Sequence, residues 1–340
     1  MEAFVKSFAT YRTVKKSTVL SSALTLDSLD KETSTVTVKG TNIGRSNTGD
    51  WLIVDGQVYR IAQVKPQTDR TMLTLNAPLE AFSRSLEYTE RSGVLTIGDF
   101  VAKELAENWV KCDDPVYAMA YLTVSNSDPS PFAPPELDNA GCYDLAAYCR
   151  LMRKSYRVKV SFTDAGDSLR CTIARIPEAA RKVSFEDGRS QLQSVDYSSS
   201  GVAKITVLYD ADTGERDEEG EIIYERQRSD WYLSESGEVS QSIPARRASG
   251  TWSTLSLKGN VDIQAKVTET FAKNKANHKL EFWSSLDLNI QDDCTFQVYG
   301  EPLYSYISYK RKSSEDRRYY YRSGELATTA TEKLRRMTNE

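Results

Sequence analysis

Three short segments in the first quarter of the chain place the strongest constraint on its fold. They read STVTVKG (34–40), DWLIVDGQVYRIAQVKP (50–66) and RTMLTLNAP (70–78), and they alternate between apolar and polar residues. Alternation with a period of two is typical of strands with one buried face. The dipeptide Asp55-Gly56 lies between two apolar runs and favours a two-residue hairpin turn. Closely spaced strands with tight turns predict a small antiparallel β-barrel.

The hydrophobic pattern changes to a helical period near residue 98. The segment GDFVAKELAENWVKC (98–112) repeats its apolar residues every three to four positions, which predicts an amphipathic helix with Asp99 as its N-cap. The residues on its predicted buried face are Phe100, Val101, Leu105, Trp109 and Val110.

A predicted strand (115–127), a Pro-rich loop and a second predicted helix (142–155) follow. Two more strand-like segments then turn at residues 164–166. Helix, strand, helix and hairpin in this order predict a compact α+β unit over residues 91–183.

From residue 184 the pattern returns to strands, with a long hairpin around residues 210–221 and one helical segment that begins near residue 262. The predicted fold class is therefore β-rich α+β, with two small antiparallel β-barrel domains on either side of an α+β domain. The first barrel with its N-terminal arm occupies residues 1–90, the second barrel with an inserted helix occupies 184–325, and a short C-terminal helix occupies 326–340.

The chain contains a single histidine, His278. Histidine is the usual general base near neutral pH and a common metal ligand. A Ser-His-Asp triad would need His278 at its centre, whereas its surroundings, KANHKL, predict an exposed helix end. The sequence therefore predicts no catalytic, cofactor-binding or metal site, no cofactor and no enzymatic activity.

The cysteines have the spacing of neither a zinc site nor a disulfide framework, because no Cys-x-x-Cys pair occurs among them. Cys142 and Cys149 are seven residues apart on a predicted helix and are expected to share one face. We expect reduced, buried structural thiols. The five cysteines are Cys112, Cys142, Cys149, Cys171 and Cys294.

The acidic segment DADTGERDEEGE (210–221) partly matches a calcium-binding loop. Asp210 and Asp212 have the right spacing, but Gly214 comes one residue too early for an EF-hand and the flanking residues favour strands. We predict a solvated hairpin tip that faces either a channel or the exterior. The glycines of GTNIGRSN (40–47) lack the pattern of a phosphate loop.

The charge balance argues against a dedicated nucleic-acid binder. The chain has 44 Lys and Arg against 48 Asp and Glu, a net charge of -4, whereas such proteins usually have a strongly basic face. The segment SYISYKRKSSEDRRYYYRSG (305–324) could stack on single-stranded nucleic acid, but it favours a hairpin with half-buried tyrosines. These tyrosines are Tyr304, Tyr306, Tyr309, Tyr319, Tyr320 and Tyr321.

The first sixteen residues, MEAFVKSFATYRTVKK, lack the apolar core of a secretory signal. No run approaches the ~20 apolar residues that a membrane-spanning helix needs. We therefore expect no membrane insertion by this chain and folding in a cytosol.

The closing segments resemble the phage tail hub family, which comprises the baseplate hub and tail-tip hub proteins of tailed phages and related contractile systems. The residues that carry the resemblance are Tyr306-Ile307-Ser308 in a late strand and, near the end of the chain, Gly324, Leu326, Thr328, Lys333 and Leu334. The predicted opening barrel and the α+β insertion are also similar to that family.

The resemblance implies a structural virion protein of the tail, baseplate or tip that is assembled in the cytoplasm of a host bacterium. Three subunits with two barrels each would present six similar units to a sixfold tail tube. The implied partners are further copies of the chain as a homotrimer, the tail tube or distal tail protein, a tape-measure protein, and tip or fibre proteins. DNA would be only passing cargo during ejection.

Two alternatives remain open at this point. Abundant carboxylates leave room for an Asp or Glu pair in a tail-associated cell-wall hydrolase. A hexameric distal-tail or tube ring protein would share the β-rich composition without the threefold assembly.

Overall fold

The computed structural model of the chain describes residues 1–87, 96–128, 142–196, 201–217, 220–234, 238–245, 250–259, 261–273 and 279–324. The chain divides into two compact units. Unit 1 comprises Met1–Ala179, Trp283–Asp292 and Ile307–Tyr321, and unit 2 comprises Ala180–Phe282, Asp293–Tyr306 and Arg322–Glu340.

Unit 1 begins with a closed six-stranded antiparallel barrel, which confirms the barrel predicted for the start of the chain. Its hydrogen-bonded order is β1-β4-β5-β6-β3-β2, and the barrel closes because β1 pairs with both β4 and β2. The strands are β1 (Glu2–Lys6), β2 (Thr13–Ser28), β3 (Thr33–Lys39), β4 (Trp51–Val54), β5 (Gln57–Pro66) and β6 (Arg70–Asn76).

The predicted Asp55-Gly56 turn joins β4 to β5. Asp55 has a φ of 51° and Gly56 a φ of 71°, which are the left-handed conformations that a tight hairpin of this kind requires at both positions. The turn fixes the register that pairs Val54 with Gln57. The alternation noted in the sequence then sends side chains such as Leu52 and Tyr59 into the barrel core.

Strand β4 is buried on both of its faces. Leu52 and Val54 belong to the barrel core, whereas Trp51 and Ile53 belong to a second core that the barrel shares with the α+β part of unit 1. A run of four apolar residues is what a strand with two covered faces needs.

The α+β part of unit 1 has two helices and a three-stranded sheet in the order β10-β11-β8, in which β8 is parallel to β11. The α+β part also contains a short antiparallel strand pair, β7 with β9. The elements are β7 (Ser85–Glu87), α1 (Ile97–Leu105), β8 (Leu122–Asn126), β9 (Cys142–Asp144), α2 (Leu145–Tyr156), β10 (Val158–Asp164) and β11 (Leu169–Arg175).

The predicted N-cap of α1 is wrong. Thr96, not Asp99, caps the helix, because the Thr96 hydroxyl accepts a hydrogen bond from the Asp99 backbone N–H at 3.0 Å. The predicted apolar face is confirmed: Phe100, Val101 and Leu105 of α1 are buried, as is Trp109 in the π-helical turn Ala106–Val110 that follows, and Val110 packs against the same core.

Two other boundaries differ from the sequence prediction. Helix α2 begins at Leu145 after the N-cap Asp144, whose carboxylate accepts a hydrogen bond from Ala147 N–H at 2.7 Å, so Cys142 lies in β9 and not on the helix. The strand predicted over 115–127 is confined to Leu122–Asn126, because residues 114–121 form turns closed by local hydrogen bonds.

Six of the later strands form a mixed set that joins the sheet of the barrel through the antiparallel pairing of β20 with β2, and four others form a separate sheet. Neighbours in the mixed set follow the order β12-β19-β20-β21-β18-β13, and the separate sheet has the order β16-β15-β14-β17. The elements are β12 (Ala180–Ser184), β13 (Ser190–Asp196), β14 (Val202–Arg216), β15 (Ile222–Leu233), β16 (Val239–Ser240), β17 (Thr251–Lys258), α3 (Ile263–Lys273), β18 (Lys279–Ser284), β19 (Asp293–Val298), β20 (Glu301–Ser313) and β21 (Tyr319–Ser323).

The β-rich α+β class, with one barrel, further sheets and few helices, is therefore confirmed. The long hairpin around residues 210–221 is also confirmed, because β14 and β15 pair antiparallel from Lys204 opposite Tyr232 to Arg216 opposite Ile222. A second closed barrel stays a prediction. The C-terminal helix predicted over 326–340 lies outside the described residues.

Candidate interaction surface

The four-stranded sheet of unit 2 has two chemically different faces. On one face, Ile205, Val207 and Trp231 pack with Val267 and Phe271 of α3 to form a small apolar core. The opposite face consists of the even-numbered residues in 204–210, 224–232 and 252–258, and we call it the polar face. Strand alternation separates the two sets of side chains.

The register places one lysine between two aromatic residues on the polar face. Lys204 lies opposite Tyr232 on β15 and opposite Trp252 on β17. Its ammonium group is 5.5 Å from the centroid of the Tyr232 ring and 5.0 Å from that of Trp252. Trp252 donates a hydrogen bond to Thr206 Oγ1 at 2.9 Å, yet 64% of the residue is exposed.

Two carboxylates on the polar face are paired with cations. Asp230 accepts a hydrogen bond from Thr206 Oγ1 and lies 2.9 Å from Lys204 Nζ, and these contacts lower its pKa. Asp210 accepts hydrogen bonds from Arg226 at 2.7 and 3.0 Å, which lower its pKa. Acidic and basic side chains thus hold one another in place on an exposed sheet surface.

Gly250 sets the distance between β17 and β14. A Cβ at this position would lie 2.1 Å from the backbone oxygen of Gly201, so Gly250→Ala is expected to push the start of β17 away from β14. We expect a loss of about 1–3 kcal/mol in the free energy of unfolding, measured by denaturant titration. Gly44→Ala is the matched control, because Gly44 has a φ of -116° and no atom within 4 Å of an added Cβ. Equal stability of the two variants would contradict this reading.

Beyond Asp210 the β14–β15 hairpin continues as an acidic ribbon tip, which we define as residues 211–217 and 220–221. Asp212 accepts a hydrogen bond from Gly214 N–H at 2.7 Å, and Asp217 accepts one from Glu221 N–H at 2.9 Å. These carboxylates therefore stabilise turns. Among the described residues, no group of three or more His, Cys, Asp or Glu side chains is arranged to hold a metal ion.

Unit 1 contains a cavity of about 240 Å³ that is lined by β2, β5, α2, β10 and residues 77–80 and includes several charged side chains. Arg153 donates to both carboxylate oxygens of Asp27, at 2.6 and 2.9 Å, and Lys159 Nζ donates to the same carboxylate at 2.6 Å. Glu80, which also lines the cavity, pairs with Arg150 and lies 2.9 Å from Lys31.

Burial alone would raise the pKa of Asp27, but the charges and hydrogen bonds of Arg153 and Lys159 outweigh it and lower the pKa to about 2. A carboxyl group with this pKa stays ionised near neutral pH and is a poor general acid. Asp27 and Glu80 are both committed to ion pairs. The cavity therefore holds a structural charge network, and its geometry offers no support for a hydrolase.

The Asp27 network predicts an acid-sensitive component of stability. The pKa of Asp27 falls from an ordinary value of 3.8 to about 2 on folding, so its contribution is fully present above pH 4 and is lost as the pH falls toward 2. We expect this contribution to be about 2 kcal/mol. Denaturant titrations between pH 6 and pH 2 should show a smaller acid loss for Asp27→Asn than for the wild type. Identical pH dependence of the two proteins would contradict the assignment.

The cysteines match the structural role predicted for them only in part. Cys149, Cys171 and Cys294 are buried, whereas Cys112 is half-buried and Cys142 is exposed. Burial raises the pKa of Cys171 to about 12, and burial beside Cys171 raises the pKa of Cys149 further. The two thiols are therefore poor nucleophiles near neutral pH.

The tyrosines of the late hairpin are more buried than predicted. Tyr319 and Tyr320 are half-buried as expected, but Tyr309 and Tyr321 are buried in the core. Tyr321 donates a hydrogen bond to the Leu286 carbonyl and accepts one from Leu288 N–H. These rings are used inside the fold, which weakens the reading of the segment as a nucleic-acid stacking platform.

Of the residues that carry the family resemblance, the structure describes Tyr306, Ile307, Ser308 and Gly324. Ile307 and Ser308 are buried in β20, and Tyr306 is half-buried beside them. Leu326, Thr328, Lys333 and Leu334 lie outside the described residues, as does His278. Among the described helices, none has the length and apolar character needed to cross a membrane.

The sequence alone did not predict the polar face, although the alternation that separates the two faces of its strands was present. The alternation in VAKITVLYD and WSTLSLK separates the two faces of β14 and β17. The pairing of β17 with β14 was not predictable from that alternation, because the two strands are parallel and about 50 residues apart. Without the pairing, Trp252 could not be placed beside Lys204.

No family model and no curated protein sequence matches the chain. Among solved structures, its fold is similar to that of prophage tail protein gp18 from Listeria monocytogenes EGD-e. The likeness covers 99% of each chain, with a TM-score of 0.54 and 11% sequence identity.

Two further structures give TM-scores of 0.48 at 12% identity. They are a chain of the phage P2 baseplate in its activated conformation with Ca, where the match covers 96% of this chain and 100% of that one, and a tail protein from Neisseria meningitidis MC58, where it covers 95% and 96%. The chain thus shares the fold of the Listeria prophage tail protein over nearly its full length.

Proposed function

We propose that the chain is a non-enzymatic structural protein of a phage tail, located in the virion. The observation that carries this proposal is the likeness in fold to a prophage tail protein over 99% of both chains. A match of this extent includes the barrel, the α+β part and the later sheets together. A single common barrel would be much weaker support, because small barrels serve many functions.

We propose further that the protein is a trimeric hub that joins the tail tube to the tail tip. The first β module is the closed barrel within residues 1–90, and the second lies within residues 184–325, on the far side of the α+β region at 91–183. The mixed set β12-β19-β20-β21-β18-β13 supports this, because five of its six neighbouring strands lie within that range and β12 ends at its first residue. Three subunits with two similar modules each would present six units to a sixfold tube.

The proposed role defines the partners. The trimer would contact the tail tube or distal tail protein on one side and tip or fibre proteins on the other. Its channel would admit the tape-measure protein and passing DNA. The chain would fold and assemble in the cytoplasm of the host bacterium, and the segment 326–340 would form a short terminal helix.

The mass of the purified chain in solution tests the hub proposal. A trimer of the 38.3-kDa chain should give about 115 kDa by light scattering or sedimentation, and electron micrographs should show threefold rings. A protein that is monomeric at high concentration would contradict the proposal. A sixfold ring would instead indicate a distal-tail or tube ring protein, and loss of turbidity of a peptidoglycan suspension would indicate a hydrolase.

A further inference from the structure

The polar face is most open to solvent along its edge strand β17, whereas Thr206 on the central strand β14 is buried. All four of its residues on β17, from Trp252 to Lys258, are exposed. The face carries four cations, Lys204, Arg226, Arg228 and Lys258, and two acids, Asp210 and Asp230, so its net charge is +2. Exposed Trp252, Arg226 and Arg228 beside the half-buried rings of Tyr224 and Tyr232 give the patch a composition typical of the centre of a protein interface.

The cations of the polar face are only partly neutralised by its own acids. Arg228 lies 3.9 Å from Asp230, a longer distance than in the other two ion pairs described on this face, and Lys258 Nζ lies 4.1 Å from the centroid of the Tyr224 ring. Both residues are exposed. They can therefore receive acidic groups from outside the sheet with little rearrangement.

The ribbon tip has the opposite charge. Its acids are Asp212, Glu215, Asp217 and Glu221 against the single base Arg216, which gives a net charge of -3. The third strand β17 ends at Lys258, opposite Asp210. Beyond that point β14 faces the four β15 residues 222–225, with an irregular register between Asp212 and Arg216, so the ribbon extends about 13 Å past the three-stranded part of the sheet. A two-stranded ribbon without a further layer is only marginally stable in water.

We propose that the acidic ribbon tip of one copy of this chain docks on the polar face of a second copy. Opposite charge and matching exposure favour this pairing, and Trp252 with Tyr232 supplies aromatic anchors at the end of the face distant from the tip. The tip cannot fold back onto the face of its own sheet, because the same two strands run continuously from one to the other. The contact must therefore form between copies.

This contact joins different surfaces of identical chains, so each copy has one tip and one face to offer. Such head-to-tail contacts close into rings when the rotation between copies permits it. The inference rests on the proposed function, which requires several copies, and it adds to that proposal the surfaces that would hold the copies together.

Matched charge reversals test the docking on the full chain. The face variant is Arg228→Glu with Lys258→Glu, and the tip variant is Glu215→Lys with Glu221→Lys. The tip positions avoid Asp212 and Asp217, whose carboxylates stabilise turns. We expect each variant to weaken self-association by about tenfold or more in sedimentation equilibrium, and more so at low salt. The four-residue combination should restore association at least in part, because the charges are then exchanged across the contact.

Two controls separate docking from folding. The double variant Lys39→Glu with Lys65→Glu makes the same charge change as the face variant, but on exposed barrel residues. It should leave association unchanged. In addition, acrylamide quenching of the wild type and of Trp252→Phe should show that the emission of Trp252 becomes protected as the copies associate. Recovery in the combined variant would also show that the single-surface variants had folded.

The outcomes distinguish this inference from the proposed function. If the wild type is trimeric and neither variant weakens it, the tip and face are not the interface, and the hub proposal stands. If the face variant weakens association and the combination does not restore it, the tip is not the ligand of the face, and the inference is overturned. A ring that is not threefold but responds to both variants supports the docking and overturns the hub. A monomeric wild type overturns both.

Discussion

Replacing Trp51 with alanine is expected to lower the free energy of unfolding by about 3–5 kcal/mol. Trp51 is completely buried on the outer face of β4, where its ring stacks with Phe8 at a centroid distance of 5.8 Å. Its Nε1 donates to the Tyr121 hydroxyl at 2.9 Å, and that hydroxyl donates to the Phe8 carbonyl at 2.6 Å. The substitution opens a cavity between the barrel and the α+β part and leaves Tyr121 without a donor.

Denaturant titration followed by circular dichroism measures this effect without depending on tryptophan emission. Trp51→Phe should cost less than Trp51→Ala, because it keeps most of the apolar volume and loses only the hydrogen bond. Leu20→Ala is the surface control, since Leu20 is 51% exposed on barrel strand β2, and it should change the free energy by less than about 0.5 kcal/mol. An equal effect at Trp51 and Leu20 would show that β4 does not join the two parts of unit 1.

The barrel was predictable because its determinants are local. Alternation defines each strand, and Asp55-Gly56 fixes the hairpin between β4 and β5 through two left-handed residues. Even the burial of β4 on both faces has a sequence signal in the four apolar residues WLIV. Alternation could not predict which part of the fold covers each face of β4. Trp51 and Leu52 belong to two different cores.

The errors in the α+β part have local physical causes. Thr96 and Asp99 can both cap a helix, and the choice was decided by which side chain reaches a free N–H at the helix start. Cys142 was placed on a helix because the apolar pattern of α2 extends past its true N-cap, Asp144. Residues 115–121 have the composition of a strand but are held in turns, as in the hydrogen bond from Met119 N–H to the Trp109 carbonyl.

The candidate surfaces depend on contacts between residues far apart in the chain. Asp27 and Arg153 are separated by 126 positions, and nothing in either local sequence indicates that they meet. Lys204 and Trp252 likewise become neighbours only through a parallel strand pairing. A single sequence could therefore predict the hairpin and its acidic tip, but it could not predict the basic, aromatic face that we propose as the docking site of that tip.

Removal of the Asp27 carboxylate is expected to destabilise the protein by about 3 kcal/mol, because Asp27→Ala leaves Arg153 and Lys159 without their shared anion. The Arg153 side chain is only 10% exposed, so water cannot readily replace the lost partner. Asp30→Ala removes a more exposed pair with Lys154 and should cost less than about 1 kcal/mol. Denaturant titrations at pH 7 compare the two variants, and equal losses would mean that burial does not set the strength of the Asp27 network.

A double-mutant cycle separates the ion pairs from the simple loss of side-chain atoms. If the destabilisation by Asp27→Ala comes from uncompensated cations, then Arg153→Met should cost less in the Asp27→Ala background than in the wild type. We expect a coupling of about 1–3 kcal/mol between the two positions. Strict additivity would show that the ion pair between Asp27 and Arg153 does not stabilise the fold, and it would leave only Lys159 to account for the acid-dependent loss of stability predicted between pH 4 and pH 2.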